Sequence, residues 1–162
     1  MKALLLIRHA KSSWAIAGQA DFDRPLNDRG HRDAPMMAER VKDRKVPIDA
    51  FVSSPANRAI TTAGYFAKAW DVSKKDIIQV KKLYHAMPSI FLEVIRELDD
   101  QIKTAALFSH NPGITAFVNQ LGVAQLDDMP TCAVFAIKAD TKHWMEFADA
   151  PKEFWFFDYP KN

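Results

Sequence analysis

The stretch Met1–Trp14, MKALLLIRHAKSSW, decides the fold, because it sets a short apolar run directly before a cation and a titratable ring. The run, residues 3–7, is typical of a β-strand that is buried on both faces of a sheet. Such strands normally end in a turn of small residues, whereas this one ends in Arg8 and His9. By itself this pair also suits a surface turn, so its meaning depends on what stands at the ends of the other strands.

Strand-like and helix-like stretches alternate along most of the chain. The predicted strands are 3–7, 50–52, 77–80 and 105–108, and the predicted helices are 34–41, 56–70, 90–98 and 114–121. This alternation predicts an α/β fold, with a mostly parallel central sheet between two layers of helices. Pro35 either kinks the first helix or marks its true start.

The last part of the chain has a different pattern. The segments CAVFAI, WMEFA and EFWFFDY follow one another without helical stretches between them, which predicts a closing antiparallel meander or an edge hairpin. Cys132 is the only cysteine, so an internal disulfide and any CxxC site are excluded. Its apolar neighbours indicate a small, buried hydrophobic residue.

The composition is that of an ordinary globular protein, with 48% hydrophobic and 26% charged residues. A chain of 162 residues can bury about two thirds of its unfolded surface, so we expect a single domain over residues 1–162. The net charge of +2 argues against general nucleic-acid binding. The first apolar run is too short for a secretory signal or a membrane span, so we expect a cytoplasmic protein that binds no membrane.

Polar and cationic residues follow each of the four predicted parallel strands. They are Arg8 and His9, then Ser53, Ser54 and Arg58, then Tyr84 and His85, and finally Ser109, His110 and Asn111. Ligands of parallel α/β sheets bind outside the carboxyl ends of the strands. The sequence therefore predicts one site to which four separate segments contribute.

Two of these segments also resemble helix starts. In SSPANR, Ser54 is a suitable N-cap and Pro55 a suitable first helical residue, and in SHNPG, Asn111 and Pro112 match the same pattern. Helix N-termini with arginine and histidine beside them suit a phosphate group. We therefore expect a phosphate pocket.

A pocket that also holds two histidines is expected to react with its ligand. A neutral imidazole is a nucleophile towards phosphorus, and nearby cations keep it neutral. We expect phosphoryl transfer onto His9, with Arg8, Arg58 and His110 stabilising the equatorial oxygens. Neither an HExxH motif nor a P-loop is present, so the sequence predicts no metal and no cofactor.

These motifs resemble those of a known family. RHA after an apolar strand, SSPANRAITTA in the middle and SHNPGI later resemble the histidine phosphatase, or phosphoglycerate mutase-like, superfamily, over residues 3 to 121. The short chain, the DRPLNDRG segment and the absence of a cap insertion are similar to its SixA-like phosphohistidine phosphatase branch. Ala10 stands where the family's commonest form, RHG, has glycine.

The resemblance implies a three-layer α/β sandwich without a cap insertion, and a metal-independent phosphatase. It also implies a phosphohistidine intermediate on His9, with Arg8, Arg58 and His110 completing the phosphate pocket.

The segment KLYHAMPS departs from the family, because many members carry a glutamate there that protonates the leaving oxygen. An imidazole, with a pKa of roughly 6.5, leaves far more easily than an alkoxide once its ring is protonated in the substrate. We therefore expect phosphohistidine on a protein, such as a phosphotransfer or phosphocarrier domain, as the substrate. If Asp21, Asp23 or Glu93 supplies the proton, a small phosphorylated metabolite becomes the substrate instead. A non-catalytic module that binds phosphorylated partners is a third interpretation.

The remaining candidates border the predicted pocket. Arg24 either adds positive charge at the pocket mouth or pairs with Asp21 or Asp28, and Asn111 is either a helix cap or a ligand. Ser12 lies in the loop after His9 and is a candidate for substrate binding. The sequence assigns no role to His85 or Trp14, and we expect a monomer or a weak dimer.

Overall fold

Residues 1–162 are described by a computed structural model. The strands are β1 (Lys2–Arg8), β2 (Ala50–Ser53), β3 (Ile78–Gln79), β4 (Thr104–Ser109), β5 (Val134–Ala139) and β6 (Lys152–Asp158). The α-helices are α1 (Asp28–Asp43), α2 (Asn57–Ala69), α3 (Pro88–Arg96) and α4 (Gly113–Gln120). The predicted alternation of strands and helices is confirmed. None of the helices has both the length and the apolar character that crossing a membrane requires.

All six strands form one sheet in the order β3-β2-β4-β1-β5-β6. The first four strands run parallel, while β5 runs antiparallel to β1 and pairs with β6 as an edge hairpin. The predicted parallel sheet and edge hairpin are therefore confirmed. The strand β1 lies inside the sheet between β4 and β5, which explains why its apolar run is continuous.

Alternate residues of β1 face opposite helical layers. Leu5 and Ile7 belong to a core that includes residues of α1 and α2, whereas Leu4 and Leu6 belong to a second core that includes residues of α3 and α4. This alternation follows from the two-residue period of a strand. The sheet thus lies between two helical layers, as predicted.

One predicted strand is wrong. The segment WMEFA contains a 3₁₀ turn at Trp144–Glu146 instead. Trp144 is fully buried, and its indole nitrogen donates to the carbonyl of Ile102. The apolar character of this segment therefore reflects packing against the second core. In so short a segment, a buried turn and a strand cannot be distinguished by their apolar pattern.

Of the two alternatives for Pro35, the one that makes it the start of the first helix is wrong. The helix α1 begins at Asp28, and Pro35 lies inside it. The start is set by Asn27, whose side-chain oxygen accepts a hydrogen bond from the backbone nitrogen of Gly30 at 2.9 Å. An asparagine in this position satisfies one of the free N–H groups of the first turn.

The two predicted helix caps at the site are wrong as well. The N-cap of α2 is Ala56 and that of α4 is Pro112, and neither helix start has a side-chain cap. The polar side chains that were expected to cap instead bind elsewhere. Ser54 contacts His110, and the amide of Asn111 donates to Asp128.

The start of α4 approaches the chain before α3 very closely. A Cβ atom placed on Gly113 would lie 1.8 Å from the carbonyl oxygen of Ala86. Because that oxygen belongs to the backbone, it cannot move aside as a flexible side chain would. Glycine at this position therefore allows the two helices to pack beside the site.

We expect Gly113→Ala to destabilise the protein by about 1–3 kcal/mol, because the added methyl group forces a backbone shift. The matched control is Gly64→Ala within α2, where the nearest atom to the added Cβ would be 3.8 Å away. That change is expected to be neutral or to stabilise by about 0.5–1 kcal/mol. Urea unfolding of the two variants measures both effects, and equal stabilities would contradict the prediction.

Candidate active site

The register between β1 and β4 brings the two predicted histidines together. Arg8 pairs with Ser109, so that His9 and His110 each follow directly after their strand. The backbone nitrogen of His9 donates to the carbonyl of Ser109 at 3.1 Å. The two imidazole rings lie 5.1 Å apart between centroids, and both are buried.

The neighbouring strand β2 supplies the next part of the site. The backbone nitrogen of Ser54 donates to the carbonyl of Phe108, which places the Ser54 hydroxyl 2.7 Å from Nε2 of His110. Arg58 follows in the first turn of α2 and is buried. The sequence predicted that these segments meet at one edge of the sheet, and the structure places them there.

His9 is held in one tautomer by the backbone carbonyl of the next residue. Its Nδ1 lies 2.7 Å from the carbonyl oxygen of Ala10. Because a carbonyl can only accept a hydrogen bond, Nδ1 must carry the proton. The lone pair of the neutral ring therefore resides on Nε2, which is the nitrogen that a nucleophilic role requires.

The backbone around His9 is fixed by residues that the sequence did not single out. The hydroxyl of Thr62 accepts from the nitrogen of Ala10 at 3.0 Å and donates to the carbonyl of Arg58 at 2.8 Å. The backbone nitrogen of Cys132 contacts the carbonyl oxygens of Arg8 and His9, both at 3.1 Å. The buried Cys132 agrees with the sequence, whereas the Thr62 contact had no sequence signal because it spans 52 residues.

Three buried nitrogens of the site have no hydrogen-bond partner. They are Nε of Arg8, Nε of Arg58 and Nδ1 of His110, and no other buried side-chain nitrogen or oxygen in the chain lacks a partner. Leaving such groups unpaired costs about 1–3 kcal/mol each. Their concentration here indicates that the site is completed by a ligand that accepts hydrogen bonds.

Both histidines are neutral at physiological pH. Burial is the main cause that lowers the pKa of His9 to about 3; Arg58, Arg8 and Arg24 act in the same direction, and the Ala10 carbonyl opposes them. Burial is also the main cause that lowers the pKa of His110 to about 3; His9 and Arg58 act in the same direction, and Asp21 opposes them. A neutral His9 can act as a nucleophile without first losing a proton.

Arg24 combines the two roles that the sequence left open. Its guanidinium donates to Asp21 at 3.0 Å, and it also contributes to the positive charge that acts on His9. A second donor bonds the hydroxyl of Ser12 at 2.6 Å, and the exposed ring of Trp14 lies 3.2 Å from the guanidinium carbon. Ser12 and Trp14 thus hold Arg24 in place, and substrate binding by Ser12 stays a prediction.

The Asn111 side chain uses its polar atoms within the protein. Its nitrogen donates to Asp128 at 2.6 Å and to the carbonyl of Met129 at 3.2 Å, and its oxygen accepts from Thr115 at 2.6 Å. Arg8 donates to the same Met129 carbonyl at 2.7 Å. Asn111 therefore anchors the loop that orients Arg8, and its role as a ligand stays a prediction.

The three candidate proton donors lie in different surroundings. Glu93 accepts from Lys82 at 2.9 Å, and the backbone carbonyl of Asp23 accepts from the side-chain nitrogen of Asn57 at 3.1 Å. Asp21 lies at the site, where its carboxylate accepts from Tyr84 at 2.6 Å and from Arg58 at 2.9 Å. The bonds from Tyr84, Arg58 and Arg24 hold the pKa of Asp21 well below its usual range. Asp21 is therefore ionised and has no proton to donate.

A small apolar cavity of about 280 Å³ adjoins His110. It is lined by His85, Met87 and Pro112 among others, and the His85 ring lies 3.9 Å from that of Tyr84. A larger cavity of about 690 Å³ lies along α2 near Lys68 and contains none of the predicted residues. The smaller cavity is thus the one that extends the site.

We expect Thr62→Val to destabilise the protein by about 1–3 kcal/mol, because the buried N–H of Ala10 loses its acceptor. Thr62→Ser retains the hydroxyl and loses one methyl group, which costs about 0.8 kcal/mol. Urea unfolding compares the two variants. A serine variant less stable than the valine variant would contradict this role for the hydroxyl.

The two low histidine pKa values predict how stability depends on pH. In the unfolded chain these rings bind protons near pH 6.5, whereas in the folded chain they do so near pH 3. Between these values the unfolded state holds more protons, so stability falls as the pH is lowered, by about 1.4 kcal/mol per pH unit for each ring.

Unfolding free energies measured between pH 7 and 4 without phosphate test this dependence. We expect His9→Gln to reduce the slope by about 1.4 kcal/mol per pH unit. The control is Gly64→Ala, which changes no titratable group and should leave the slope of the wild type unchanged. An equal slope in wild type and His9→Gln would contradict the prediction.

Residues 4–84 match the histidine phosphatase superfamily (branch 1). An uncharacterized protein of Mycobacterium tuberculosis is 32% identical over 110 residues, which cover 68% of this chain and 66% of the relative. The match thus spans slightly less than two thirds of the length of that relative. Phosphoserine phosphatase 1 of Hydrogenobacter thermophilus is 35% identical over 82 residues, which cover 48% of this chain and 38% of that protein.

Solved structures share the fold over nearly the whole chain. The protein histidine phosphatase SixA in complex with tungstate has a TM-score of 0.82 at 20% identity, and the match covers 99% of this chain and 98% of SixA. Phosphoserine phosphatase of Entamoeba histolytica in complex with 3-phosphoglyceric acid has a TM-score of 0.66 at 17% identity, over 98% and 97% of the two chains. The expected phosphoglycerate mutase-like α/β fold is confirmed. The chain belongs to the histidine phosphatase superfamily, branch 1.

Proposed function

We propose that the chain is a metal-independent phosphatase that removes phosphoryl groups from phosphohistidine on a protein, through a phosphohistidine intermediate on His9. The observation that carries this proposal is the set of three unpartnered buried nitrogens beside a neutral imidazole. A phosphoryl group offers three equatorial oxygens that accept hydrogen bonds and carry negative charge. Arg8, Arg58 and His110 supply one free donor each.

The hydrogen bond between Ser54 and His110 supports the role of His110 as a donor. The Ser54 oxygen accepts from the backbone nitrogen of Ala56, so its own O–H is free to donate to Nε2 of His110. In that tautomer the proton of the His110 ring resides on Nδ1. The unpartnered Nδ1–H then donates to a phosphoryl oxygen without any change in the protonation of the ring.

The first step forms a bond between Nε2 of His9 and phosphorus while the bond from phosphorus to the substrate imidazole breaks. The electron pair of that bond stays on the leaving nitrogen. A substrate ring protonated at its other nitrogen departs as neutral imidazole, so the enzyme does not need to donate a proton. The ionised state of Asp21 is therefore compatible with this substrate.

The second step hydrolyses the intermediate. With phosphorus on Nε2 and a proton on Nδ1, the His9 ring is cationic, and the Ala10 carbonyl stabilises that N–H. Water attacks phosphorus, the bond to Nε2 breaks, and the electron pair returns to the ring. The products are neutral His9 and dihydrogen phosphate, so that both atoms and charges balance.

The surface around the pocket supports a protein as the substrate. Trp14, Ile16, Phe22 and Met87 are large apolar residues that are exposed, and they come from three segments next to the site. Trp14 contacts Arg24, Phe22 contacts Tyr84, and Met87 lines the cavity beside His110. Exposed apolar groups around a polar centre are typical of protein-binding surfaces. We therefore propose that these residues contact the phosphotransfer or phosphocarrier domain that carries the phosphohistidine.

The test compares phosphate release from a phosphohistidine-bearing phosphocarrier protein and from free phosphoserine. We expect release from the phosphoprotein and a loss of about 10³-fold or more in His9→Ala, because the nucleophile is removed. His143→Ala, at an exposed histidine paired with Asp100, serves as the control and should retain wild-type turnover. Acid-labile label on the wild-type enzyme after brief mixing would identify the intermediate.

Two outcomes would overturn this proposal. Equal or faster turnover of phosphoserine would indicate a phosphatase for small metabolites, in keeping with the phosphoserine phosphatase relative. Retained phosphate binding without turnover of either substrate would indicate a non-catalytic module that binds phosphorylated partners.

A further inference from the structure

Asp21 is the one acidic side chain that bonds both Arg24 and Arg58. Its Oδ1 accepts from Arg24 at 3.0 Å, and its Oδ2 accepts from Arg58 at 2.9 Å and from Tyr84 at 2.6 Å. Its backbone carbonyl also accepts from Arg58 at 2.6 Å. A residue with four contacts to the pocket is fixed in position relative to a bound phosphoryl group.

The carboxylate retains the capacity to bind a ligand. A carboxylate offers about four lone-pair positions, and the three side-chain bonds leave one position on Oδ1. The Asp21 side chain is 42% exposed, whereas that of Arg58 beneath it is 6% exposed. The free position is therefore available at the mouth of the pocket, on the solvent side of Arg58.

Arg58 does not require Asp21 to leave when phosphate binds. Both of its terminal nitrogens contact Asp21, but its Nε is buried and unpartnered. The guanidinium can thus donate to Asp21 along one edge and to a phosphoryl oxygen from Nε. Asp21 and the phosphoryl group are expected to occupy the site together.

The leaving group of the proposed reaction carries an N–H donor that suits the free acceptor position on Oδ1 of Asp21. A phosphoimidazole ring must carry a proton on its second nitrogen in order to depart as neutral imidazole. That N–H is a charged hydrogen-bond donor, and such donors form strong bonds with carboxylates. The catalytic ring has the same need, and there the Ala10 carbonyl accepts the Nδ1–H of His9.

We propose that Asp21 determines substrate specificity by accepting a hydrogen bond from the ring N–H of the protonated phosphohistidine, and that it thereby selects substrates whose phosphorylated ring is cationic. This inference rests on the proposed function. Each of the two exchanging imidazoles then has one oxygen acceptor for its second nitrogen, Ala10 on the enzyme side and Asp21 on the substrate side.

The same carboxylate disfavours other phosphate compounds. Phosphate esters have no N–H at this position, and phosphoserine adds a carboxylate that the negative charge of Asp21 would repel. The bonds from Tyr84, Arg58 and Arg24 lower the pKa of Asp21, so that this charge persists throughout the physiological pH range. Asp21 therefore acts on the choice of substrate rather than as a proton donor.

The first experiment measures kcat/KM of wild type, Asp21→Asn and Asp76→Asn with two substrates, phosphoimidazole and 4-nitrophenyl phosphate. We expect Asp21→Asn to lower the ratio of the two values by about tenfold or more, as expected for the loss of a charged hydrogen bond. Asp76→Asn is the matched control, at an exposed aspartate in the turn before β3, and it should retain the wild-type ratio.

A purely structural role of Asp21 predicts a different result. If Asp21 only orients Arg24 and Arg58, its loss lowers turnover of both substrates equally, and a ratio within about threefold of wild type would overturn the inference. Turnover of 4-nitrophenyl phosphate also reports whether the variant is folded.

The second experiment uses the wild type alone and so does not depend on a variant. A phosphoimidazole methylated on its second nitrogen keeps the positive charge and lacks the N–H. Relative to its uncatalysed hydrolysis, we expect it to be accelerated about tenfold less than phosphoimidazole. Equal acceleration of the two would overturn the inference while leaving the proposed function intact. Failure of the wild type to hydrolyse phosphoimidazole at all would overturn the proposed function itself.

Discussion

The parallel pairing of β1 with β4 is the interaction on which the rest of the site depends. Both strands are buried on both faces, so their register is held by two cores at once. A shift by one residue would exchange the faces of every side chain and separate the two rings that now lie 5.1 Å apart. The packing of the sheet interior therefore fixes the positions of His9 and His110 relative to each other.

The charges of the histidines and arginines at the site follow from their place at the buried edge of the sheet. Burial keeps both imidazoles neutral. Each arginine has an oxygen partner at its outer edge: the Met129 carbonyl for Arg8, the Ser12 hydroxyl for Arg24 and Asp21 for Arg58. These partners use the terminal nitrogens and leave the Nε atoms of Arg8 and Arg58 free. The protein thus holds unpaired donors ready for an oxyanion, at a cost that ligand binding offsets.

Local sequence patterns failed where a polar side chain had a distant alternative partner. Ser54 and Asn111 match the pattern of helix caps, but Ser54 binds His110 and Asn111 binds Asp128. The segment WMEFA has the apolar content of a strand, yet Trp144 is buried through a turn whose indole contacts Ile102. In each case a tertiary contact outweighs a local preference of about 1 kcal/mol or less.

The sequence by itself determined the alternation of strands and helices, the parallel sheet and the convergence of Arg8, His9, Arg58 and His110, because these depend on periodicity and on the common edge of parallel strands. Only the tertiary structure decided which distant hydrogen-bond partners fix these residues in place. Thr62 reaches Ala10 across 52 residues, and Asp21 reaches Arg58 across 37 and Tyr84 across 63. Contacts of that separation leave no local pattern, since they arise only when the packed sheet brings the loops together.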